Sequence, residues 1–530
     1  MHDAHDMGHM TRRKLLVVGA GAGLAGLTAG LPGARAAAGR HGPIRAPFTL
    51  GVASGDPLPD SVVLWTRLAP EPLQAGGGMP RRQVPVQWEI AEDEHFRRVA
   101  ARGTEHAQPD EGHSVHVEPR GLRPGREYFY RFKRGPELSP VGRTKTAPAP
   151  DADPARLAFA FASCQMYEHG YFTAYKHMAD EDLDLVVHLG DYIYEYGPGV
   201  YRGRDGNVRL HDGGEVQTVD DYRRRLAQYR TDADLQSAHA AFPWIVTFDD
   251  HEVDNNWAGF IPENTTDPGN LTPALFAARR AAAFQAYYEH MPLRRDARPD
   301  GPSMLAHRRL TYGRMAEFSA LDTRQYRSDQ ACGDRTRIDC AERLDPARTM
   351  TGPEQEQWLL AGLAGSRARW NVVAQQVFMA QRDFEAGPKQ RFSMDAWDGY
   401  KAGRDRLLAH VASRHVANPI VLTGDVHRSW VADLKADFDN PASATLGTEF
   451  VGTSISSTGN GSADQQLTVR AENPHLKFYE DRRGYVRCEM DRERWRTDFR
   501  ALPYVTTPGA PIATSASFVV ENGVAGAHPA

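Results

Sequence analysis

Two hydrophobic rhythms divide the chain. From Pro47 to about Pro150, short alternating segments are separated by Pro and Gly turns: FTLGVASGD, SVVLWTRLA, VPVQWEIA, SVHVEPRGL, REYFYRFKR and VGRTKTAP. A period of two over short runs predicts antiparallel strands with one buried face, hence a small Fn3/Ig-like β-sandwich over residues 45–148. Within it, Leu122-Arg-Pro-Gly-Arg-Glu-Tyr128 has the form of a tyrosine corner, whose phenol ties a crossover between sheets to the backbone. Ala147-Pro-Ala-Pro-Asp-Ala-Asp-Pro154 reads as a linker. Beyond it the runs become continuously apolar: LAFAFASC, LDLVVHLGD, WIVTFDD, WNVVAQQVFM and NPIVLTGD. Strands of that kind are covered on both faces, and longer stretches between them predict helices over 171–182, 220–238, 273–290, 353–364 and 401–415. Residues 155–510 therefore read as an α/β domain.

The first 38 residues follow neither rhythm. Thr11-Arg-Arg-Lys-Leu-Leu16 precedes an apolar stretch from Val17 to Leu31, and small-residue cleavage sites follow at Ala34 to Ala38. Arg12 and Arg13 resemble a twin-arginine signal, whose export machinery carries folded proteins, so a secreted, extracellular protein is expected. The segment is too short and glycine-rich for a permanent membrane span. It also fits a dinucleotide fingerprint through Gly21, Gly23 and Gly26, but residues 7–55 contain no Asp or Glu to hold a ribose. That absence argues against a flavin or nicotinamide enzyme.

Composition narrows the function classes. The chain has 530 residues, 41% hydrophobic and 25% charged, with a formal net charge of −5. This is ordinary globular composition, and no nucleic-acid-binding patch is evident. Any phosphate must be held by local cations. Four cysteines are too few for a disulfide framework; Cys332 and Cys340 flank a polar loop suited to one bridge, and Cys488 sits in an apolar strand.

Chemistry gathers where apolar runs end: Ser163-Cys164-Gln165, Gly190-Asp191-Tyr-Ile-Tyr194-Glu195, Asp249-Asp250-His251-Glu252, and Gly424-Asp425-Val-His427. One Asp at a strand end is usually a turn former or cap, but four such ends with metal-ligand chemistry predict a two-metal site. Asp191 is placed to bridge both ions, with Cys164, Tyr194 and His427 completing one shell. Thiolate and phenolate donate charge strongly and suit a trivalent iron better than zinc. The other ion would see Asp191, Asp250 and Asp425, an oxygen shell open to calcium, magnesium or manganese. His251 is a candidate to protonate a leaving alkoxide or to support a ligand. Arg324, in Leu321-Asp-Thr-Arg-Gln-Tyr-Arg327, is a candidate phosphate clamp or the partner of Asp322. Gln375 and Gln376 offer neutral oxygens to a metal or to strand-end backbone.

These motifs carry a resemblance. GDYIY resembles the GDxxY segment of purple acid phosphatases, DDHE stands where metallophosphatases carry GNHE or GNHD, and GDVH stands where they carry GHxH. The usual D-x-H motif is missing, and Cys164 occupies its strand end. Together with the sandwich, the twin-arginine signal and LDTRQYR, the chain resembles the alkaline phosphatase D (PhoD-like) family over its mature length. The resemblance implies a four-layer αββα metallophosphatase domain, a secreted metal-dependent phosphoesterase, and phosphate mono- and diesters as substrates. It also implies one Fe3+ held by Cys164, Asp191, Tyr194 and His427. Ca2+ would be held by Asp191, Asp250 and Asp425, and for a further calcium Asp249, Asn255 and Asn256 are candidates. In such a site a metal-bound hydroxide attacks phosphorus without a phospho-enzyme. A phospholipase D-like phosphodiesterase shares this chemistry, whereas a non-enzymatic secreted binding protein would show neither turnover nor tightly held metal. A monomer is expected.

Overall fold

Three short strands from the second half of the sequence pattern form the spine of the larger sheet. In this computed structural model, which describes residues 44–462 and 464–530, Leu157–Ala162, Leu185–His188 and Pro243–Val246 are parallel neighbours, with Val186 opposite Ala160 and Val187 opposite Ile245. Every residue of the three is buried, as their unbroken apolar character predicts. The expected leader lies outside the described residues. On one side the sheet continues antiparallel through Arg483–Met490, Arg494–Leu502 and Ala513–Glu521. A second, seven-stranded sheet has Ala316–Ala320, Trp370–Ala374, Pro419–Thr423 and Thr445–Val451 as parallel neighbours.

The two sheets share a core. Phe159, Phe161, Val187 and Trp495 from the first meet Phe318, Trp370, Leu422 and Phe450 from the second, and Phe159 stands edge-on to both Phe318 and Trp495. Burying each such side chain contributes about 1.5–3 kcal/mol before entropy is counted. The outer face of the first sheet is covered by α1 (Thr173–Ala179), α2 (Val219–Arg230), α3 (Ala233–Ala241) and α4 (Pro273–His290). The outer face of the second is covered by α5 (Gly352–Gly365) and α6 (Lys401–Ser413). The single helix expected over 220–238 is two. Asp232 caps α3 by accepting from the N–H groups of Asp234 and Leu235, and the break follows from that competing local hydrogen bond.

The N-terminal strands behave differently from an isolated sandwich. Val84–Ala91, Val99–Ala107, Glu127–Arg134, Glu137–Leu138 and Gly142–Lys145 form a five-stranded sheet of their own. Val52–Leu58, Ser61–Arg67 and Ser114–Val117 instead extend the ten-stranded sheet, because Val52–Leu58 pairs in parallel with Pro243–Val246. Gly55 permits that approach, since a Cβ there would lie 2.7 Å from the Trp244 carbonyl oxygen. Val62 and Leu64 face Val86, Ile90, Tyr130 and Phe132 across the sandwich core, while Trp65 points the other way and donates to the Glu289 carbonyl at 2.9 Å. The tyrosine corner is formed: the Arg123 N–H donates to Tyr128 Oη at 2.9 Å. Among the described residues no helix is long and apolar enough to cross a membrane.

Candidate metal centre

The site is made by loops that leave the strand ends under strain. Cys164 follows Leu157–Ala162, Asp191 follows Leu185–His188, and Asp425 and His427 follow Pro419–Thr423; all four adopt φ between 55° and 61°. Left-handed backbone at a non-glycine residue costs about 1 kcal/mol or more each and persists only where surroundings enforce it. Here the enforcement is visible. The Cys164 N–H donates to the Gly190 carbonyl at 3.1 Å and the Gln165 N–H to the Asp191 carbonyl at 3.0 Å. The Glu252 carboxylate accepts from the N–H groups of Asp191 (3.1 Å), Tyr192 (2.6 Å) and Asp249 (2.8 Å). Gly190, at φ 105°, packs so close that a Cβ would lie 2.5 Å from the Asp249 nitrogen.

Six of the eight residues singled out from sequence as ligands or catalytic groups fall into three overlapping groups, and the other two, Tyr194 and Arg324, adjoin them. Donor atoms of Cys164, Asp191 and His427 lie within 4.8 Å of one another, as do those of Asp191, Asp250 and His251. A third group, Asp249, Asp250 and Asp425, shares Asp250 with the second. Tyr194 joins the first: its Oη donates to Asp191 Oδ2 at 3.0 Å and lies 3.1 Å from His427 Nε2 and 2.7 Å from Ser457 Oγ. Thr458 Oγ1, 2.9 Å from His427 Nδ1, fixes the imidazole from behind. His251 is held through Nδ1 by Glu195 Oε2 at 2.8 Å and stacks on Tyr194 at 4.1 Å between ring centroids, which leaves Nε2 for the site.

Arg324 is fully buried beneath the carboxylates rather than paired with Asp322. Its Nε donates to Asp249 Oδ1 at 2.5 Å and its Nη1 to Asp395 Oδ1 at 3.0 Å, while Nη2 stands 3.5 Å from Asp250 Oδ1 and 3.8 Å from Asp425 Oδ1. Asp322 instead accepts from the backbone N–H groups of Arg324 and Gln325. Gln375 and Gln376 accept from Trp397 Nε1 and Thr323 Oγ1 through their side-chain oxygens, and their side-chain N–H groups donate to the Val377 and Leu321 backbone carbonyls, the strand-end role. Asn255 donates its N–H to Glu195 Oε1, and Asn256 Nδ2 donates to Asp334 Oδ2. Cys332 and Cys340 are bridged, and Cys488 is buried.

The charges fit cations. Burial, then the neighbouring Asp191, raises the Cys164 thiol and the Tyr194 phenol well above their usual ranges. Burial raises Asp191 strongly too, and Asp250 and Asp249 add to it. Asp425 is pushed by enclosure, then by Asp395, up to about 7, although its side chain is 25% exposed. Burial also works to raise Asp250, but Arg324 and His251 outweigh it and keep it low. For His427, burial first and Arg483 second hold the imidazole neutral, the form that binds a metal. Asp191 Oδ1, Asp249 Oδ2 and Asp250 Oδ1 are buried with no hydrogen-bond partner among the described residues. Unpartnered carboxylate oxygens in a dry pocket are costly, and cations with oxygen preference answer them, so the residues present fit a metal pair.

Sequence motifs missed the groups that hold the ligands in place. Glu252 and Glu195 stand inside quoted motifs yet were assigned no role, while Asp395 and Ser457 lie in stretches with no motif at all.

Comparison with known proteins then decides the family. Residues 159–499 match the PhoD-like phosphatase family, and residues 34–148 match the PhoD-like phosphatase N-terminal domain. The chain belongs to the PhoD-like phosphatase family. It is 57% identical over 482 residues to Alkaline phosphatase D of Bacillus subtilis (strain 168), covering 91% of this chain and 82% of that one. Among solved structures, one titled Structure of PhoD superposes with a TM-score of 0.89 at 56% identity, covering 91% of this chain and 92% of the other. Membership in this phosphatase family accords with a cluster built from thiol, phenol, imidazole and carboxylates.

Proposed function

We propose that this protein is a metal-dependent phosphoesterase of the alkaline phosphatase D type, acting on phosphate monoesters and on diesters, at the cluster centred on Asp191. The observation that carries the reading is the membership of Asp191 in two donor groups at once, one with Cys164 and His427 and one with Asp250 and His251. Cys164, Asp191, Tyr194 and His427 would hold Fe3+, and Asp191, Asp250 and Asp425 would hold Ca2+; Asp249 adjoins them for a further calcium. Bound there, the cations supply positive charge that acidifies an attacking water and neutralises phosphoryl oxygens.

The chain's own residues do the rest. Glu195, Asp250 and Asp191 favour the protonated form of His251 against the burial that would strip it, and its Nε2, left free by Glu195, would pass a proton to the leaving oxygen. Glu195 fixes the ring through Nδ1, and the stacked Tyr194 ring sets its plane. Arg324, engaged by Asp249 and Asp395, contributes by holding the carboxylate shell and leaves Nη2 facing Asp250 and Asp425.

We further read the two packed sheets with their helices as a four-layer αββα metallophosphatase domain over 155–510, preceded by an Fn3/Ig-like sandwich over 45–148. A leader over 1–38 would send the protein, as a monomer, through the twin-arginine route. Elemental analysis of natively expressed protein, with p-nitrophenyl phosphate and its bis ester as substrates, tests the functional reading. Iron together with calcium, a visible phenolate-to-iron colour and turnover are expected; a colourless, iron-free and fully active preparation would overturn the iron assignment.

A further inference from the structure

Beside the metal cluster stands an arginine with no acid to answer it. Arg382 lies in the loop after Trp370–Ala374 and is 9% exposed. Its backbone N–H donates to Asp398 Oδ2 at 2.9 Å, and Asp398 is itself fixed by Arg404 at 2.6 Å, so the loop is anchored. The guanidinium is walled by aromatic rings: its Cζ lies 4.4 Å from the centroid of Phe378, 4.8 Å from Phe384 and 5.9 Å from Trp430. Yet Arg382 Nε has no hydrogen-bond partner, and the guanidinium forms no ion pair among the described residues. Its buried neighbours are different. Arg404 has Asp398, Arg483 has Asp481, and Arg324 has Asp249 and Asp395.

Two more donors without a hydrogen-bond acceptor belong to the same wall. Arg428 directly follows His427 and is half-buried; its Nε pairs at 3.4 Å with Asp481, an acid it shares with Arg483 and Arg204, and makes no hydrogen bond. The Trp430 indole N–H is buried with no acceptor. Arg428 and Trp430 sit one and three residues beyond His427, and Arg382 lies against the Trp430 ring, so the three donors adjoin the loop that carries Asp425 and His427. Burial, then the nearby charge of Arg428, lowers Arg382 to about 10. Buried donors without acceptors are costly, and two guanidiniums that repel each other add to that cost. One anion would relieve both. Rings against the faces of Arg382 leave the edge of its fork for bidentate contact, the geometry that suits a phosphoryl group.

We propose that Arg382, Arg428 and the Trp430 indole N–H form an anion subsite that holds a second phosphoryl group of the substrate while the scissile one lies over Asp191, Asp250 and Asp425. The proposal rests on the phosphoesterase reading and names its preferred substrate class: molecules with a further phosphoryl group a few bonds from the one attacked. Such a group occurs in an alkyl bisphosphate.

Propyl phosphate and propane-1,3-diol bisphosphate differ only in that group. The wild-type holoenzyme is expected to favour the bisphosphate in kcat/KM, mainly through KM. R382Q and R428Q should each cut that preference at least about tenfold, the factor expected for one lost charge-assisted hydrogen bond, with R382K retaining part of it. No preference in the wild type, or equal loss on both substrates in R382Q, overturns the subsite. Thermal unfolding checks that the variants fold. Calorimetric titration of the bisphosphate into wild type and R382Q reads the subsite without turnover: if neither propyl phosphate nor the p-nitrophenyl esters are hydrolysed, the phosphoesterase reading fails, whereas bisphosphate binding weakened in R382Q still upholds the anion subsite.

Discussion

Around Cys164, Tyr194 and His427 the side chains are neutral in the absence of a cation, whereas around Asp249, Asp250 and Asp425 three carboxylates crowd one guanidinium. The first pocket therefore tolerates loss of its metal without like-charge repulsion. The second sheds like-charge repulsion only by taking up protons, because Arg324 supplies one positive charge to Asp249, Asp250, Asp395 and Asp425 together and burial raises Asp249 and Asp425. Asp191 belongs to both pockets' neighbourhoods, so its loss should be felt on each side. Metal chemistry and fold stability are thus unequally divided between the two sides of one site.

Removing the shared residue should have the largest effect. D191N is expected to lower kcat/KM by about 10³-fold or more, a scale reached when a charge-bearing group at a reacting centre is lost. Metal content should fall for both ions, and retention of either at full stoichiometry would break the idea that Asp191 serves both. C164A comes next. It should remove the iron and about 10²-fold or more of activity, leave the second metal in place, and barely move the melting temperature. A fall in both metals would show that the two pockets are not separable.

Stripping the metals should expose the carboxylate side through pH. Burial pushes Asp425 to about 7 and Glu252 to about 8, so both bind protons more tightly in the folded chain than in the unfolded one. Without cations, that protonation stabilises the fold fully below about pH 4 and is lost as pH rises through 7 to 8, by on the order of a few kcal/mol. Denaturant midpoints of chelated protein should therefore fall between pH 5 and pH 8, and those of metal-loaded protein should fall less, since the cations engage Asp425 but not Glu252. Equal slopes in the two forms would mean that the carboxylates are neutralised by Arg324 alone.

Much of this division was legible from the chain before any fold was known. Apolar runs ending in Cys164, Asp191, Asp250 and Asp425 announced the strand ends, because a continuously apolar strand that stops at a polar residue marks where a loop begins. The span of α4 was read to its observed ends, 273–290, helped by Pro273 at its first position. What could not be read were pairings between distant segments. Nothing in Val52–Leu58 states that its neighbour is Pro243–Val246, since the pleat specifies which face a side chain takes and not which strand lies alongside. Arg324 was visible, but its partners Asp249 and Asp395 lie 75 and 71 residues away in sequence, and Asp395 carries no motif.

Glu252 offers the finest cut between positioning and charge. Its carboxylate accepts from three backbone N–H groups, two on the Asp191 loop and one on the Asp249 loop, so it fixes the spacing of the two loops without itself standing among the clustered donor groups. E252Q keeps the size of the side chain but replaces one accepting oxygen with an N–H donor aimed at backbone donors. At least one of those three amides must then lose its partner, and the left-handed backbone at Asp191 loses support. Activity should fall about 10- to 100-fold, the range for groups that orient metal ligands, with metal stoichiometry retained when ions are in excess. Faster hydrogen exchange at the amides of Asp191, Tyr192 and Asp249 should accompany it. If activity falls while those amides stay protected, Glu252 acts through its charge on the carboxylate side, and the loops owe their spacing to Gly190 and the backbone bonds around Cys164 instead.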